Sequence, residues 1–211
     1  MLKEAQEEDD KTGLSRCYNI MSQIYTVKRL DSMAFEWQLK EIELTEKYDL
    51  ENYNISQTYS QISSYYINTN QPEKALEALK KADATAYSPT QKISVQLEYV
   101  NYYSKFGDMQ AAEKILNECK TAFDQDKRLW SIKKRLYNIE YVYYLQSKQY
   151  PKALEAAKKQ EAEELNLSES IQNSVHYLTK GKIYSNMGNM SEAIKYLQMY
   201  IEAEDSLKIA N

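Results

Sequence analysis

Hydrophobic residues recur at helical spacing along the chain, and breaks in this pattern divide it into pairs of segments. The first segment of a pair carries large residues three or four positions apart, such as Tyr59, Ile62 and Tyr66, which places them on one helix face. The second segment is rich in Ala, Leu, Glu and Lys, which are good helix formers. Gly or Pro stands in most of the turns, where Gly suits a helix end and Pro the start of the next helix. The pattern therefore predicts helix pairs at 12–29 and 31–48, 53–69 and 71–86, 89–106 and 108–123, 128–148 and 150–165, and 168–187 and 190–208.

The pairs are related to one another by internal repetition. Residues 71–81 and 149–159 are identical at eight of eleven positions, at an offset of 78. Residues 107–116 and 188–197 match at five of ten positions, at an offset of 81. Both offsets are about twice 40, and a period near 40 is typical of a helical repeat array. The predicted organisation is one repeat domain over 1–211, with repeats at 12–48, 53–86, 89–123, 128–165 and 168–208.

A Tyr and an Ala keep the register of these repeats. The Tyr positions are Tyr25, Tyr66, Tyr103, Tyr144 and Tyr184, and the Ala follows nine residues later at Ala34, Ala75, Ala112, Ala153 and Ala193. A small Ala lets two helices approach closely, whereas a Tyr fills the space between neighbouring pairs. Four residues after the Ala comes another apolar residue, except in the first repeat. There Leu39, one residue later, fits better, which predicts an extra residue in the first repeat's turn.

Composition narrows the fold class further. The chain has 20 Tyr but only 4 Gly and 3 Pro, and this scarcity of turn residues nearly excludes a β-rich fold or a Gly-rich phosphate loop. A net charge of −4 leaves no basic footprint for direct nucleic-acid binding. Tyr doublets recur at 65–66, 102–103 and 143–144, with Ile in the first place of the other two repeats. We therefore interpret them as packing residues, with an aromatic ladder that contacts a ligand as the alternative.

The residues that could perform chemistry are few. His176 is the only His, and Cys17 and Cys119 are too far apart in sequence to form a CxxC motif. No catalytic residue, metal ligand or cofactor site is therefore predicted. We expect both Cys to be buried, and their redox state stays open. No apolar run long enough for a signal peptide or a membrane helix is present in the sequence.

The repeats resemble those of the tetratricopeptide repeat family, most closely at Tyr177, Gly181, Tyr184, Gly188, Ala193 and Leu197. The resemblance implies an all-α fold, a right-handed superhelical solenoid of about five antiparallel helix pairs. It also implies a concave groove, lined by the first helices, that binds a protein or peptide ligand. The binding positions that it implies are Asn19, Gln23, Gln57, Ser64, Asn101, Arg135, Asn138 and Lys182. Amides at such positions suit the main chain of an extended peptide.

The two ends of the sequence indicate a fragment of a longer protein. Residues 2–10 read as the end of an earlier second helix, and residues 193–207 resemble the last repeat in sensor regions of membrane-anchored Bacteroidetes regulators. We therefore expect the non-enzymatic sensor or interaction region of a bacterial signal-transduction or transcriptional regulator, in the periplasm. Such a region would reach the membrane only through segments outside this chain. The alternative is a free-standing cytoplasmic scaffold that assembles a protein complex, and homodimerisation is left open.

Overall fold

The computed structural model describes residues 2–164 and 169–209, and all regular structure in these ranges is helical. The helices are α1 (Leu2–Glu7), α2 (Lys11–Val27), α3 (Asp31–Tyr48), α4 (Ile55–Asn68), α5 (Pro72–Thr85), α6 (Pro89–Phe106), α7 (Met109–Gln125), a 3-10 helix (Lys127–Ile132), α8 (Lys133–Gln146), α9 (Tyr150–Glu164), α10 (Glu169–Asn186) and α11 (Met190–Ile209). The all-α repeat fold is confirmed. None of the described helices combines the length and hydropathy needed to cross a bilayer.

Four of the predicted helix pairs are present as packed partners. Helix α2 packs on α3, α4 on α5, α8 on α9 and α10 on α11, and the short connections make the two members of each pair antiparallel. Most of the predicted bounds agree within two residues, and the largest difference is at 128, where the segment begins as a 3-10 helix and becomes α-helical at Lys133. The predicted bounds at 165 and 168 lie outside the described residues.

The helices form two compact units, Met1–Glu98 and Tyr99–Asn211. We call them the amino-terminal and carboxy-terminal units. In the amino-terminal unit α1 packs on α2 and α3 packs on α4, so that neighbouring pairs are joined. In the carboxy-terminal unit α7 packs on α8 and α9 on α10. Division of the chain into repeats of a single domain stays a prediction.

Every predicted turn within a pair contains one residue in the left-handed region, four residues after the repeat Tyr. These residues are Arg29 (φ 58°), Asn70 (φ 59°), Gly107 (φ 98°), Lys148 (φ 60°) and Gly188 (φ 75°). In four of the turns the repeat Tyr carbonyl accepts the backbone N–H five residues later, at 2.8 to 3.0 Å. This is the hydrogen bond of a Schellman helix end, which satisfies a carbonyl that the helix itself leaves unpaired. The structure thus explains why the turns keep the same register as the Tyr.

The predicted extra residue in the first repeat is wrong. The connection from α2 to α3 has three residues, Lys28 to Leu30, the same number as between α4 and α5. Leu39 is 41% exposed, whereas Gln38 is 4% exposed, and Gln38 Nε2 donates to Gln61 Oε1 at 3.1 Å. The buried position is therefore occupied by a polar residue that has its own hydrogen-bond partner. A search for apolar residues at helical spacing does not detect such a position.

Small and large residues alternate in the core as the repeats predict. Ala75 and Ala153 are fully buried in their second helices. Gly181 is packed so tightly that an added Cβ would lie 2.9 Å from the Leu197 side chain. Tyr65 stacks on Phe35 with ring centroids 4.0 Å apart, and this contact joins α3 to α4. This contact agrees with the interpretation of the doublets as packing residues, which stays a prediction.

The left-handed turn residues allow a direct test of the turn geometry. Replacing Lys148 with Gly should raise the free energy of unfolding by about 0.5–1 kcal/mol, because Gly adopts positive φ without steric cost. Replacing Gly188 with Ala should lower the free energy of unfolding by about 1–2 kcal/mol, because a residue with a Cβ is strained at positive φ. No atom lies within 4 Å of the added methyl group, so a clash with a neighbour does not contribute. Urea denaturation followed by circular dichroism measures both changes. Lys158→Gly, inside α9, should instead cost about 1 kcal/mol, and equal losses for the two Lys→Gly variants would contradict the assigned turn.

Candidate functional site

A cavity of about 530 Å³ opens in the amino-terminal unit. Its wall is formed by α2, by one residue of α3 and by the connection from α3 to α4. The lining residues are Thr12, Ser15, Arg16, Asn19, Ile20, Glu41, Leu50, Glu51, Asn52, Tyr53 and Asn54. We call it the Glu41 cavity, after the buried carboxylate in its wall. Most of its lining residues are polar, and one of the sequence-predicted binding residues, Asn19, is among them.

Glu41 is held by several hydrogen bonds from neutral groups. Its side chain is almost fully buried, with 1% of the residue exposed. Asn19 Nδ2 donates to Oε2 at 3.1 Å and to Oε1 at 3.3 Å. Asn52 Nδ2 donates to Oε1 at 2.9 Å, and Thr58 Oγ1 donates to Oε2 at 3.2 Å. These donors come from α2, from the α3–α4 connection and from α4, so that one carboxylate ties three segments together.

Local structure fixes the positions of these groups. Glu41 belongs to the buried stripe of α3, in register with Ala34 and Thr45, because residues three, four or seven apart share a helix face. Helix α3 ends at Asp49 in the left-handed region, with φ 49°. The chain then reaches Asn52, whose Oδ1 accepts the Asn54 backbone N–H at 2.9 Å. This bond leaves the Asn52 amino group to face Glu41.

The environment of Glu41 favours a buried but ionised carboxylate. Burial raises the pKa of Glu41, and the hydrogen bonds from Asn52, Asn19 and Thr58 oppose that rise. An ionised carboxylate only accepts hydrogen bonds, whereas a protonated one must also donate. Both amides present their N–H groups to it, which matches the ionised form. Within the described residues, Glu41 forms no ion pair.

A second buried carboxylate is neutralised in the more usual way, by an ion pair with a lysine. Glu140 of α8 is also buried, but Lys120 Nζ lies 2.7 Å from its Oε1. A smaller cavity of about 230 Å³ is found there, in the carboxy-terminal unit. At the same cavity Lys159 pairs with Glu155 at 2.7 Å. The carboxylates of this smaller cavity are therefore compensated by lysines, in contrast to Glu41.

The sequence-predicted residues of the amino-terminal unit have different environments. Gln23 Nε2 donates to Asn19 Oδ1 at 2.7 Å, so these two belong to one network with Glu41. Gln57 is exposed on α4. Ser64 Oγ donates to Glu98 Oε1 at 2.7 Å and lines a separate cavity of about 400 Å³. The structure thus brings Asn19 and Gln23 together, and it places Gln57 and Ser64 outside the lining of the Glu41 cavity.

The other four predicted residues lie in the carboxy-terminal unit. Asn101 of α6 and Arg135 of α8 are half-buried, and both interact with other groups. Asn138 of α8 and Lys182 of α10 are exposed. Their assignment to a groove stays a prediction.

Sequence reasoning missed Glu41, which dominates the cavity. The prediction treated first helices as the source of binding residues, whereas Glu41 is on α3, a second helix. A signal was nevertheless present, because Gln38, Glu41 and Thr45 share the stripe that begins at Ala34. Polar residues inside a predicted core stripe indicate a buried network, since unpaired buried polar groups are costly.

Metal and thiol chemistry find little support in the described part of the chain. No group of three or more His, Cys, Asp or Glu there is arranged to hold a metal ion. Cys17 and Cys119 are buried free thiols, as expected from the sequence. Burial raises the pKa of Cys119 to about 12, with a contribution from the charge of Glu118. Since the thiolate is the reactive form, Cys119 is unsuited to nucleophilic chemistry.

Solved structures with the same fold are helical repeat proteins. BtubC from P. vanneervenii matches with a TM-score of 0.59 and 14% identity, covering 98% of this chain and 88% of that chain. PilW, a type IV pilus biogenesis factor, matches with a TM-score of 0.56 and 18% identity, covering 92% and 79%. PilF from Pseudomonas aeruginosa matches with a TM-score of 0.53 and 16% identity, covering 92% and 78%. At these identities the similarity concerns the fold alone.

Family models add the relationship in sequence. The model described as 26S proteasome subunit RPN7 matches residues 26–157, which is more than half of the chain. A tetratricopeptide repeat model matches residues 177–206, the repeat that resembles the family most closely. A search of the curated proteins finds no match. The chain therefore belongs to the family described as 26S proteasome subunit RPN7, and its helix pairs make it a tetratricopeptide repeat protein.

Proposed function

We propose that this chain is a non-enzymatic interaction module that binds a segment of another protein at the Glu41 cavity. Tetratricopeptide repeat folds are generally protein-interaction scaffolds without catalytic activity, and their stacked helices present extended binding surfaces. The observation that carries the proposal is the cavity of about 530 Å³ with a buried carboxylate in its wall. Pockets of that volume with a few fixed polar groups are typical of ligand sites.

The energetics of Glu41 support a role in binding. Removing an ionised carboxylate from water is costly, and neutral hydrogen bonds only partly offset that cost. Well-packed apolar residues of similar volume often serve stability as well or better. The chain nevertheless surrounds Glu41 with two amides and a hydroxyl that hold its charge in place. A polar network of this kind is preorganised for a ligand, which reduces the entropic cost of ordering the site on binding.

Two biological settings fit such a module. We favour a scaffold that assembles a protein complex, because the matching family model is described as a subunit of a large assembly. A sensor region of a bacterial signal-transduction or transcriptional regulator is the second candidate, supported by the resemblance of residues 193–207 to such regions. In either setting Gln57, Ser64, Asn101, Arg135, Asn138 and Lys182 are proposed as further contacts on their respective units.

Affinity capture with matched variants tests the proposed site. Immobilised wild-type chain, Asn19→Ala, Glu41→Gln and Glu46→Gln are exposed to extract from the source organism, and bound proteins are quantified by mass spectrometry. Glu46 is the control, since it lies on α3 but is half exposed and pairs with Lys81 at 3.0 Å. We expect at least one protein to fall about tenfold or more with Asn19→Ala and with Glu41→Gln but not with Glu46→Gln. Binding of the same proteins in the same amounts by all four chains would contradict the proposed site.

The buried charge also predicts a pH dependence of stability with a definite sign. Because the folded-state pKa of Glu41 is raised above its ordinary value of 4.5, the folded chain binds its proton more tightly than the unfolded chain. The contribution of Glu41 to the free energy of unfolding is therefore full below pH 4.5 and decreases as pH rises through the raised pKa. The Glu41→Gln variant lacks this decrease, so its stability relative to wild type should improve between pH 4 and pH 7.

Glu46 supplies a control of opposite sign. Hydrogen bonds from Tyr59 and Lys81 lower the pKa of Glu46, so its stabilising contribution is present above pH 4.5 and is lost as pH falls through the lowered pKa. The stability of Glu46→Gln relative to wild type should therefore worsen as pH rises. Urea denaturation of all three chains at several pH values measures both trends. If the stability of both variants relative to wild type changed with pH in the same direction, the raised pKa of Glu41 would be contradicted.

A further inference from the structure

We propose that the Glu41 cavity receives a cationic side chain of the partner protein, the ammonium group of a Lys or the guanidinium group of an Arg. This inference rests on the proposed function and specifies the chemistry of the ligand. Its starting point is the carboxylate of Glu41, whose partners are all neutral. A ligand that brings a positive charge would supply the compensation that the described residues of the chain do not.

Two other carboxylates in the same chain obtain that compensation internally. Buried Glu140 pairs with Lys120 at 2.7 Å. Glu161, which is partly buried, pairs with the buried Lys180 at 2.6 Å. Charge interactions strengthen as water is excluded, so a buried carboxylate with only neutral partners attracts a cation more strongly than a solvated one. Glu41 differs from Glu140 and Glu161 because its partners are all neutral, so an incoming cation would supply a compensation that those two carboxylates already have.

The amides that cover Glu41 extend its polarity toward the cavity. Asn19 and Asn52 both line the cavity and turn their amino groups to the carboxylate, so their carbonyl oxygens lie on the side away from it. Asn19 Oδ1 accepts one bond from Gln23, and Asn52 Oδ1 accepts one from the Asn54 backbone N–H. A carbonyl oxygen has two lone pairs, so each oxygen retains a place for one more donor. Ammonium and guanidinium groups carry donors only and match these places.

The apolar part of the cavity suits the stem of a Lys or Arg side chain. Ile20 lines the cavity, and Ile24 and Val27 continue the same face of α2, with Val27 76% exposed. These residues are spaced four and three apart, which places them along one helix face. Lys and Arg side chains bury their methylene groups on apolar surface while their charged ends reach a polar partner. The Ile20–Val27 stripe also offers contact to an apolar residue beside that cation.

Arg16 presents the competing possibility of an anionic ligand. It lines the same cavity, is exposed, and its guanidinium has no hydrogen bond or ion pair among the described residues. An exposed cation is well solvated and interacts weakly with a ligand of opposite charge. Glu41, by contrast, is buried in the wall. The geometry therefore favours a cation as the inserted group, with Arg16 opposing it from the rim.

Nuclear magnetic resonance titrations of the full chain with small probes test this inference. The probes are n-butylammonium chloride and methylguanidinium chloride, with sodium butyrate as the anionic counterpart, all at constant ionic strength. The side-chain amide resonances of Asn19 and Asn52 report on the cavity. We expect both cations, but not butyrate, to shift these resonances to saturation. Selective shifts by butyrate, or no shifts with any probe, would overturn the cation assignment.

Variants establish whether Glu41 is responsible. Glu41→Gln should weaken cation binding about tenfold or more, while Glu46→Gln should leave it unchanged. Arg16→Gln, at an exposed position that does not threaten folding, should tighten cation binding because it removes a like charge. Weaker cation binding in Arg16→Gln, or equal binding in Glu41→Gln and wild type, would contradict the inference. Loss of the cation result together with intact, Glu41-dependent protein capture would overturn the ligand chemistry alone, whereas failure of the capture experiment would overturn the proposed function.

Discussion

The close approach of two helices at a small residue is the contact on which each repeat depends. Ala75 and Ala153 are completely buried where their helices meet the first helix of the pair, and Gly181 lies against Leu197 so closely that a Cβ would not fit. This contact is possible only because a three-residue turn reverses the chain at a fixed distance from the repeat Tyr. Once the pair is formed, its apolar residues must be covered by the next pair, as Phe35 is by Tyr65.

That arrangement also explains how a polar cavity arises in a repeat protein. Helix α3 keeps Ala34 and Ile42 in its buried stripe, as its repeat position requires, but places Glu41 there as well. The connection to α4 then supplies Asn52 as a hydrogen-bond donor. Glu41 is therefore a charged residue within the buried stripe of the amino-terminal unit, and departures of this kind from an apolar core are expected where function competes with stability.

Much of the fold could be predicted from the sequence because the repeat is a property of local spacing. The Tyr and Ala register predicted the helix pairs, and Gly107 and Gly188 were correctly expected at left-handed helix ends. The same local rules failed at Leu39, because they assign the buried position to an apolar residue. In the structure Gln38 is buried instead, with a hydrogen-bond partner on the next helix.

The candidate site was less accessible to prediction, since it depends on contacts between distant segments. Asn19 and Gln23 were expected on a binding surface, and the structure places both in the network around Glu41. The bonds from Asn19 and Thr58 to Glu41 span 22 and 17 positions, and no periodicity of a single helix encodes them. A buried polar position in a helical stripe indicates that such a partner exists, but only the folded chain identifies it.

The ionisation state of Glu41 decides whether a stored negative charge exists in the cavity. Titration of its side-chain carboxyl carbon by 13C nuclear magnetic resonance, in the folded and ligand-free chain, measures that state directly. The account predicts a pKa above the ordinary value of 4.5 because of burial, and an ionised form that accepts the hydrogen bonds of Asn19, Asn52 and Thr58. A carboxyl group that is still protonated at pH 7 would remove the charge on which cation binding depends, and a pKa below 4.5 would show that the charge is already compensated.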